Sequence, residues 1–225
     1  MKFLIFLVSL LYKKVITVSE ATNDQNVILR SSGKRIYNGL KFTNSIAPRV
    51  SNDFMIVGQL DYWKGQLNLF HRIPNGWDGL IHIIGDGKNE RYNNALAQFK
   101  DDFRYKFHGY QNNPWNVADG RFLIHCSIKP DPLPTVVLEA VSNGVIPFVS
   151  RYGGGREMIC PEFHDILVID FLSDRSVRRM LTLSREMSDE YYNYILKKLR
   201  EYHFIHFNID QKVEEYAKFF IACQN

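Results

Sequence analysis

The 225-residue chain has only three cysteines, and no two of them lie close together. Cys126, Cys160 and Cys223 form no CxxC pair and have no histidines at zinc-ligand spacing. That excludes a disulfide framework or a zinc ribbon and leaves free thiols in a reducing compartment. No run of like charge and no arginine-rich arm accompanies the net charge of +4. Nucleic acid is therefore not implied as a partner, although the mild positive balance permits attraction to phosphate-bearing ligands or an anionic membrane surface. Internal repeats, low-complexity segments and long linkers are also missing. The first apolar run, "FLIFLVSLL", covers nine residues. It is too short to span a bilayer and is followed by "KK" rather than a small-x-small cleavage site, which favours a buried helix over a signal peptide. His203 and His206, read as lying where a helix passes into a loop, are the only close histidine pair and have no further ligands nearby, so no metal site is expected.

What the chain does have is a core. Hydrophobic residues make up 45% and aromatics 14%, enough to bury one large domain or two small ones. A β-branched run, "VITVS", reads as a buried strand, and Asn38-Gly39 as a turn. From "FMIVG" onward a pattern repeats. Apolar runs "FMIVG", "GLIHIIGDG", "FRYKFHG", "RFLIHCS", "VIPFVS" and "DILVID" alternate with helical stretches at 64–73, 89–99, 114–118, 135–143, 155–159 and 173–202. Six short strands alternating with helices predict a doubly wound α/β domain, a parallel six-stranded sheet covered on both faces. A last helix, "QKVEEYAKFFIACQ", sets Val213, Tyr216, Ala217, Phe220 and Ile221 on one stripe that needs a partner, either this domain's own sheet or a neighbouring domain. Segment 43–53 is the best candidate boundary.

In such sheets ligands bind beyond the carboxyl ends of the strands, where strand order reverses. With the common order 3-2-1-4-5-6, the loops "GQLDYWKG" and "SIKPDPLPT" face each other. One carries Lys64; the other carries Asp131 and leads to Glu139 just inside the next helix. A cation opposite two acids suits a ligand with phosphate at one end and hydroxyls at the other. The helix opening at Thr135 adds free N–H groups and the positive end of its dipole. Taken singly, each of these residues reads more simply as an ordinary surface charge; their shared location carries the argument. "GDG" at 85–87 and "GGG" at 153–155 sit at strand ends, and the latter opens a helix that could offer N–H groups to an anion.

Taken in order, "VSEA", "IYNGL", "IVGQLDYWKGQ", "IIGDG", "FHGY" and "SIKPDPLPTVVLEAVSNGVIPFVSRYGGGREMI" resemble the carboxyl-terminal half of a group 1 glycosyltransferase of the GT-B fold, also called glycosyltransferase family 4. The resemblance runs from about Val15 onward. It implies a Rossmann-like donor domain over 43–225, and over 1–42 a remnant of the amino-terminal acceptor domain with the interdomain junction. It implies transfer of a sugar from a UDP- or GDP-sugar to a saccharide or lipid-linked acceptor, with retention, no cofactor and no required metal, in surface polysaccharide or glycan synthesis. By the same resemblance Glu139 binds the donor ribose, while Asp131 lies by the donor sugar. Lys64 acts on the diphosphate leaving group. Gly58, Gln59 and Gly85 line the donor site, Leu133, Thr135 and Val136 meet the diphosphate or sugar, and Phe107, His108 and Tyr110 lie along the nucleobase. Asp131 replaces a more usual glutamate, and Gln59 stands where many relatives have an arginine, which removes one positive charge. The expected setting is cytoplasmic, with peripheral membrane contact allowed.

Two other classes are weighed. A dinucleotide-dependent oxidoreductase lacks its Gly-x-Gly-x-x-Gly after the first strand and is disfavoured. A non-catalytic half acting as a binding or interaction module remains, because so little of the acceptor domain is recognisable. Weak or absent turnover of the isolated chain is the expectation.

Overall fold

The computed structural model describes residues 15–24, 33–42 and 48–224. The apolar run at 3–11 and most of the boundary segment's first half lie outside them. Six strands form the central sheet: β3 (Ser51–Val57), β4 (Ile81–Ile84), β5 (Tyr105–Gly109), β6 (Gly120–His125), β7 (Ile146–Ser150) and β8 (Val168–Ile169). Their order is β5-β4-β3-β6-β7-β8 and every pairing is parallel. This is the common 3-2-1-4-5-6 order assumed above, with the switch point between β3 and β6. Every residue of β4, β6 and β7 is buried. Continuous apolar runs rather than alternating ones are what a sheet covered on both faces requires. Phe54, Phe122 and Phe148, on three successive strands, pack with ring centroids 5.5–6.1 Å apart at the centre of the core.

The helices follow the same logic of apolar stripe and cap. In chain order they are α1 (Glu20–Asn23), α2 (Gln66–Phe70), α3 (Glu90–Ala97), α4 (Thr135–Ser142), α5 (His164–Leu167), α6 (Asp174–Glu186), α7 (Asp189–Phe207) and α8 (Ile209–Gln224). The single helix expected over 173–202 is two. Met187 is extended, and Ser188 caps α7 by accepting from the Tyr191 N–H at 3.2 Å, with Asp189 and Glu190 favoured by the dipole in the first turn. The break was written in "MSDE", a serine followed by two acids. α7 then runs beyond Tyr202 to Phe207, so His203 lies inside the helix and His206 in its last turn. His203 is fully buried, with Nε2 2.6 Å from the Met158 carbonyl, and serves the core.

A small parallel pair, β1 (Val15–Thr17) with β2 (Gly33–Arg35), stands apart from the main sheet. The chain at 36–40 then runs against α8. Asn38-Gly39 forms no positive-φ turn; Gly39 is there for close approach, since a Cβ on it would stand 2.7 Å from the Ile209 Cα. The stripe on α8 is only partly used. Tyr216 is half-buried over Ile36, whereas Val213, Phe220 and Ile221 are exposed. Among the described residues no helix is long and apolar enough to cross a membrane.

Candidate functional site

Glycines stand at the carboxyl ends of three neighbouring strands: Gly58 after β3, Gly85 after β4 and Gly109 closing β5. Gly85 cannot be replaced without strain. Its φ is 145°, and a Cβ there would lie 2.0 Å from the Gly58 carbonyl oxygen. Bare backbone at these ends leaves a cleft of about 510 Å³ whose lining includes Val57, Gly58, Gln59, Gly85, Asp86 and Tyr110. Four residues named from the sequence, Gly58, Gln59, Gly85 and Tyr110, meet here. Phe107 instead lines an adjoining cleft of about 270 Å³, with its ring nearly perpendicular to that of Phe70. His108 enters neither cleft. Its Nε2 lies 2.9 Å from His82 Nδ1, and His82 Nε2 lies 3.5 Å from Asp53 Oδ2. Side chains alternate across a strand, so Phe107 and His108 cannot share one wall. Burial holds both His82 and His108 below the ordinary histidine range.

On the other side of the switch point, the loop after β3 is stitched to the loop after β6. Ile128 N–H donates to the Trp63 carbonyl (2.9 Å), and the Cys126 thiol donates to the Lys64 carbonyl (3.3 Å). These bonds bring the Lys64 ammonium to 2.7 Å from Asp131 Oδ2, with the Trp63 ring 4.1 Å from the same nitrogen. The Asp131 turn is pinned from behind as well. Gly154 N–H donates to the Asp131 carbonyl at 2.8 Å, and a Cβ on Gly154 would lie 1.9 Å from the Pro132 carbonyl oxygen. The glycine triplet was expected to offer N–H groups to an anion; the Gly154 N–H is already taken by this loop.

Two residues that sequence reasoning passed over complete the cluster. His125 Nε2 lies 3.2 Å from Asp131 Oδ2 and 3.1 Å from Ser127 Oγ. The signal was available: a histidine directly after the apolar run "FLI" is a buried polar group that needs a partner. Burial works to raise the Asp131 pKa, but hydrogen bonds from His125 and Lys64 outweigh it and bring the carboxyl down to about 2.

Helix α4 opens beside this pair. No side chain caps its N-terminus. Thr135 is exposed, Val136 and Glu139 are half-buried, and all three share one stripe by i, i+3 and i, i+4 spacing. The Glu139 carboxylate makes no hydrogen bond or ion pair with the described residues, so it is available to a ligand. Leu133, by contrast, is buried in the core and has only backbone to offer. Glu157, the acid after the glycine triplet, faces the other way. Its carboxylate accepts from the Glu20 and Ala21 N–H groups, both at 2.8 Å, and from the Tyr37 hydroxyl at 3.0 Å. It ties α1 to the main domain. Among the described residues no group of three or more His, Cys, Asp or Glu is placed to hold a metal.

The family model for glycosyl transferases group 1 matches residues 42–200, from the start of this domain through most of α7. The chain belongs to that family. Among solved structures, this glycosyltransferase chain is similar to Anabaena Alr3699/HepE, described in complex with UDP and with UDP-glucose. The UDP complex is 18% identical with a TM-score of 0.77, over 93% of this chain and 64% of that one. A glycosyltransferase from Rickettsia africae gives 14% identity and a TM-score of 0.76, over 92% and 62%. S. aureus TarM, described in complex with fondaparinux, alpha-GlcNAc-glycerol and UDP, gives 15% and 0.70, over 94% and 44%. At these identities the likeness is one of fold, the Rossmann-like domain of a GT-B enzyme. The glycosyltransferase chain spans less than two thirds of each of these proteins. No curated protein matches it.

Proposed function

We propose that this chain carries the donor site of a retaining glycosyltransferase that takes a nucleoside diphosphate sugar, with UDP as the first nucleotide to test, and transfers the sugar to a saccharide or lipid-linked acceptor. One observation carries the reading: a lysine–aspartate pair and an uncapped helix N-terminus meet at the switch point of the sheet, beside an open cleft. The 510 Å³ cleft suits a base and ribose in size. The first turn of α4, at Thr135 and Val136, then receives the diphosphate, assisted by Lys64. Glu139 accepts hydrogen bonds from the ribose hydroxyls, and Asp131 accepts from the donor sugar. As the bond to the sugar breaks, negative charge grows on the diphosphate, and the ammonium with the helix dipole stabilises it. No metal is invoked, since the cation and dipole supply the charge the leaving group needs. The segment 1–42 is the remnant of an acceptor domain with the interdomain junction, and Glu157 holds its Glu20, Ala21 and Tyr37 against the donor domain. A cytoplasmic setting at the surface of a membrane, in surface glycan synthesis, fits the mild positive charge.

Isothermal titration of the full chain with UDP and GDP tests this. UDP should bind, and Glu139→Ala should weaken it about tenfold through lost charged hydrogen bonds to ribose. A folded chain that binds neither nucleotide would instead favour the non-catalytic interaction module.

A further inference from the structure

β6 ends in His125, a buried residue whose ring lies against Asp131 of the Lys64–Asp131 pair. Its two nitrogens have different surroundings. Nε2 has two oxygens in reach, Asp131 Oδ2 at 3.2 Å and Ser127 Oγ at 3.1 Å. Nδ1 is buried without a hydrogen-bond partner, and the backbone of Gly155 is its close neighbour, a Cβ there standing 3.6 Å away. A proton on Nε2 therefore finds an acceptor, whereas one on Nδ1 would be a stranded donor. An imidazolium would carry that same stranded N–H, and burial also drives the ring toward its neutral form. The hydrogen-bond network assigns His125 as the neutral Nε2–H tautomer.

The same carboxylate oxygen of Asp131 is held by two groups of unequal permanence. Lys64 is a point charge on a flexible stem, partly open to solvent, and a diphosphate can draw it away. His125 sits on a buried strand and cannot follow. We propose that His125 is a positioning residue for Asp131: once a diphosphate has taken Lys64, the His125 Nε2–H alone keeps this carboxylate turned toward the donor sugar. The inference rests on the donor-site reading above.

The test uses the full chain, with UDP and UDP-glucose as probes, in His125→Leu and His125→Gln. Leucine removes the donor; glutamine returns an amide N–H near the position of Nε2. In titration calorimetry His125→Leu should leave UDP affinity within about twofold and weaken UDP-glucose about tenfold, and His125→Gln should restore most of that loss. A role in folding alone would lower the melting temperature and weaken both ligands alike, which overturns the proposal, as does an unchanged UDP-glucose affinity in His125→Leu. Failure of the unsubstituted, folded chain to bind UDP removes the donor-site reading and this inference with it. A measurement on the unsubstituted protein stands beside these: ring nitrogen NMR in the UDP complex should show His125 as neutral Nε2–H. An Nδ1–H or imidazolium form would overturn the proposal even if neither variant folds.

Discussion

Replacing Asp131 with asparagine should lower folding stability at neutral pH by an amount that disappears in acid. The folded carboxyl titrates at about 2 against an ordinary 3.8, nearly two units. At about 1.4 kcal/mol per unit, this is about 2.5 kcal/mol. The side chain is 11% exposed, so solvent screening removes little of it. Because the folded value lies below the unfolded one, the stabilisation is complete above about pH 5 and is lost as pH falls through the folded value; about half remains at pH 3. The asparagine side chain keeps the shape of the aspartate and can still accept from His125, while Lys64 is exposed enough to turn to water. The substitution thus isolates the charge. Urea unfolding of both proteins should give a stability gap of about 2 kcal/mol at pH 7 and about 1 kcal/mol at pH 3. A gap that is absent at pH 7, or that stays constant down to pH 3, would refute the reasoning.

Two further outcomes follow from the contacts of Glu157 and the packing of Cys126. Glu157→Ala removes the acceptor of two backbone N–H groups and of the Tyr37 hydroxyl. Amide exchange at Glu20 and Ala21 should accelerate at least about tenfold, for a loss of about 1–2 kcal/mol locally, while β6 and β7 stay protected. Unchanged exchange at α1 would show that the junction is held by something else. Burial pushes the Cys126 thiol up to about 12, whereas Cys223 is exposed. Iodoacetamide at about pH 8 should therefore label Cys223 in the native protein and reach Cys126 only after denaturation, as mass spectrometry would read; native labelling of Cys126 would contradict the described packing.

The sheet was legible because its central strands are continuous apolar runs, and the order of "FMIVG" through "VIPFVS" with intervening helices leaves few topologies, whereas the first half of "DILVID" is helical and only Val168–Ile169 joins the sheet. Lys64, Asp131 and the opening of α4 were legible for a related reason, since a switch point places particular loops face to face. Side-chain direction was harder to read. The resemblance puts His108 along the nucleobase with Phe107 and Tyr110, yet the pleat turns its ring to His82. His125 was missed because its importance comes from a partner six residues away across a turn. The division of 173–202 into two helices is written in Ser188, a cap signal inside the stretch read as one helix. Whether the α8 stripe had a partner depends on tertiary packing, which periodicity does not report.

The central claim is that a nucleoside diphosphate sits in the cleft at the carboxyl ends of β3, β4 and β5, with its phosphates at the start of α4. Amide NMR of the full chain titrated with UDP tests it most directly. The account predicts shifts concentrated at Gly58, Gln59, Gly85, Tyr110, Thr135 and Val136, with the opposite, amino ends of β3 and β6 around Arg49 and Arg121 unmoved. Shifts centred on those amino ends, or none at all in a folded chain, would contradict it.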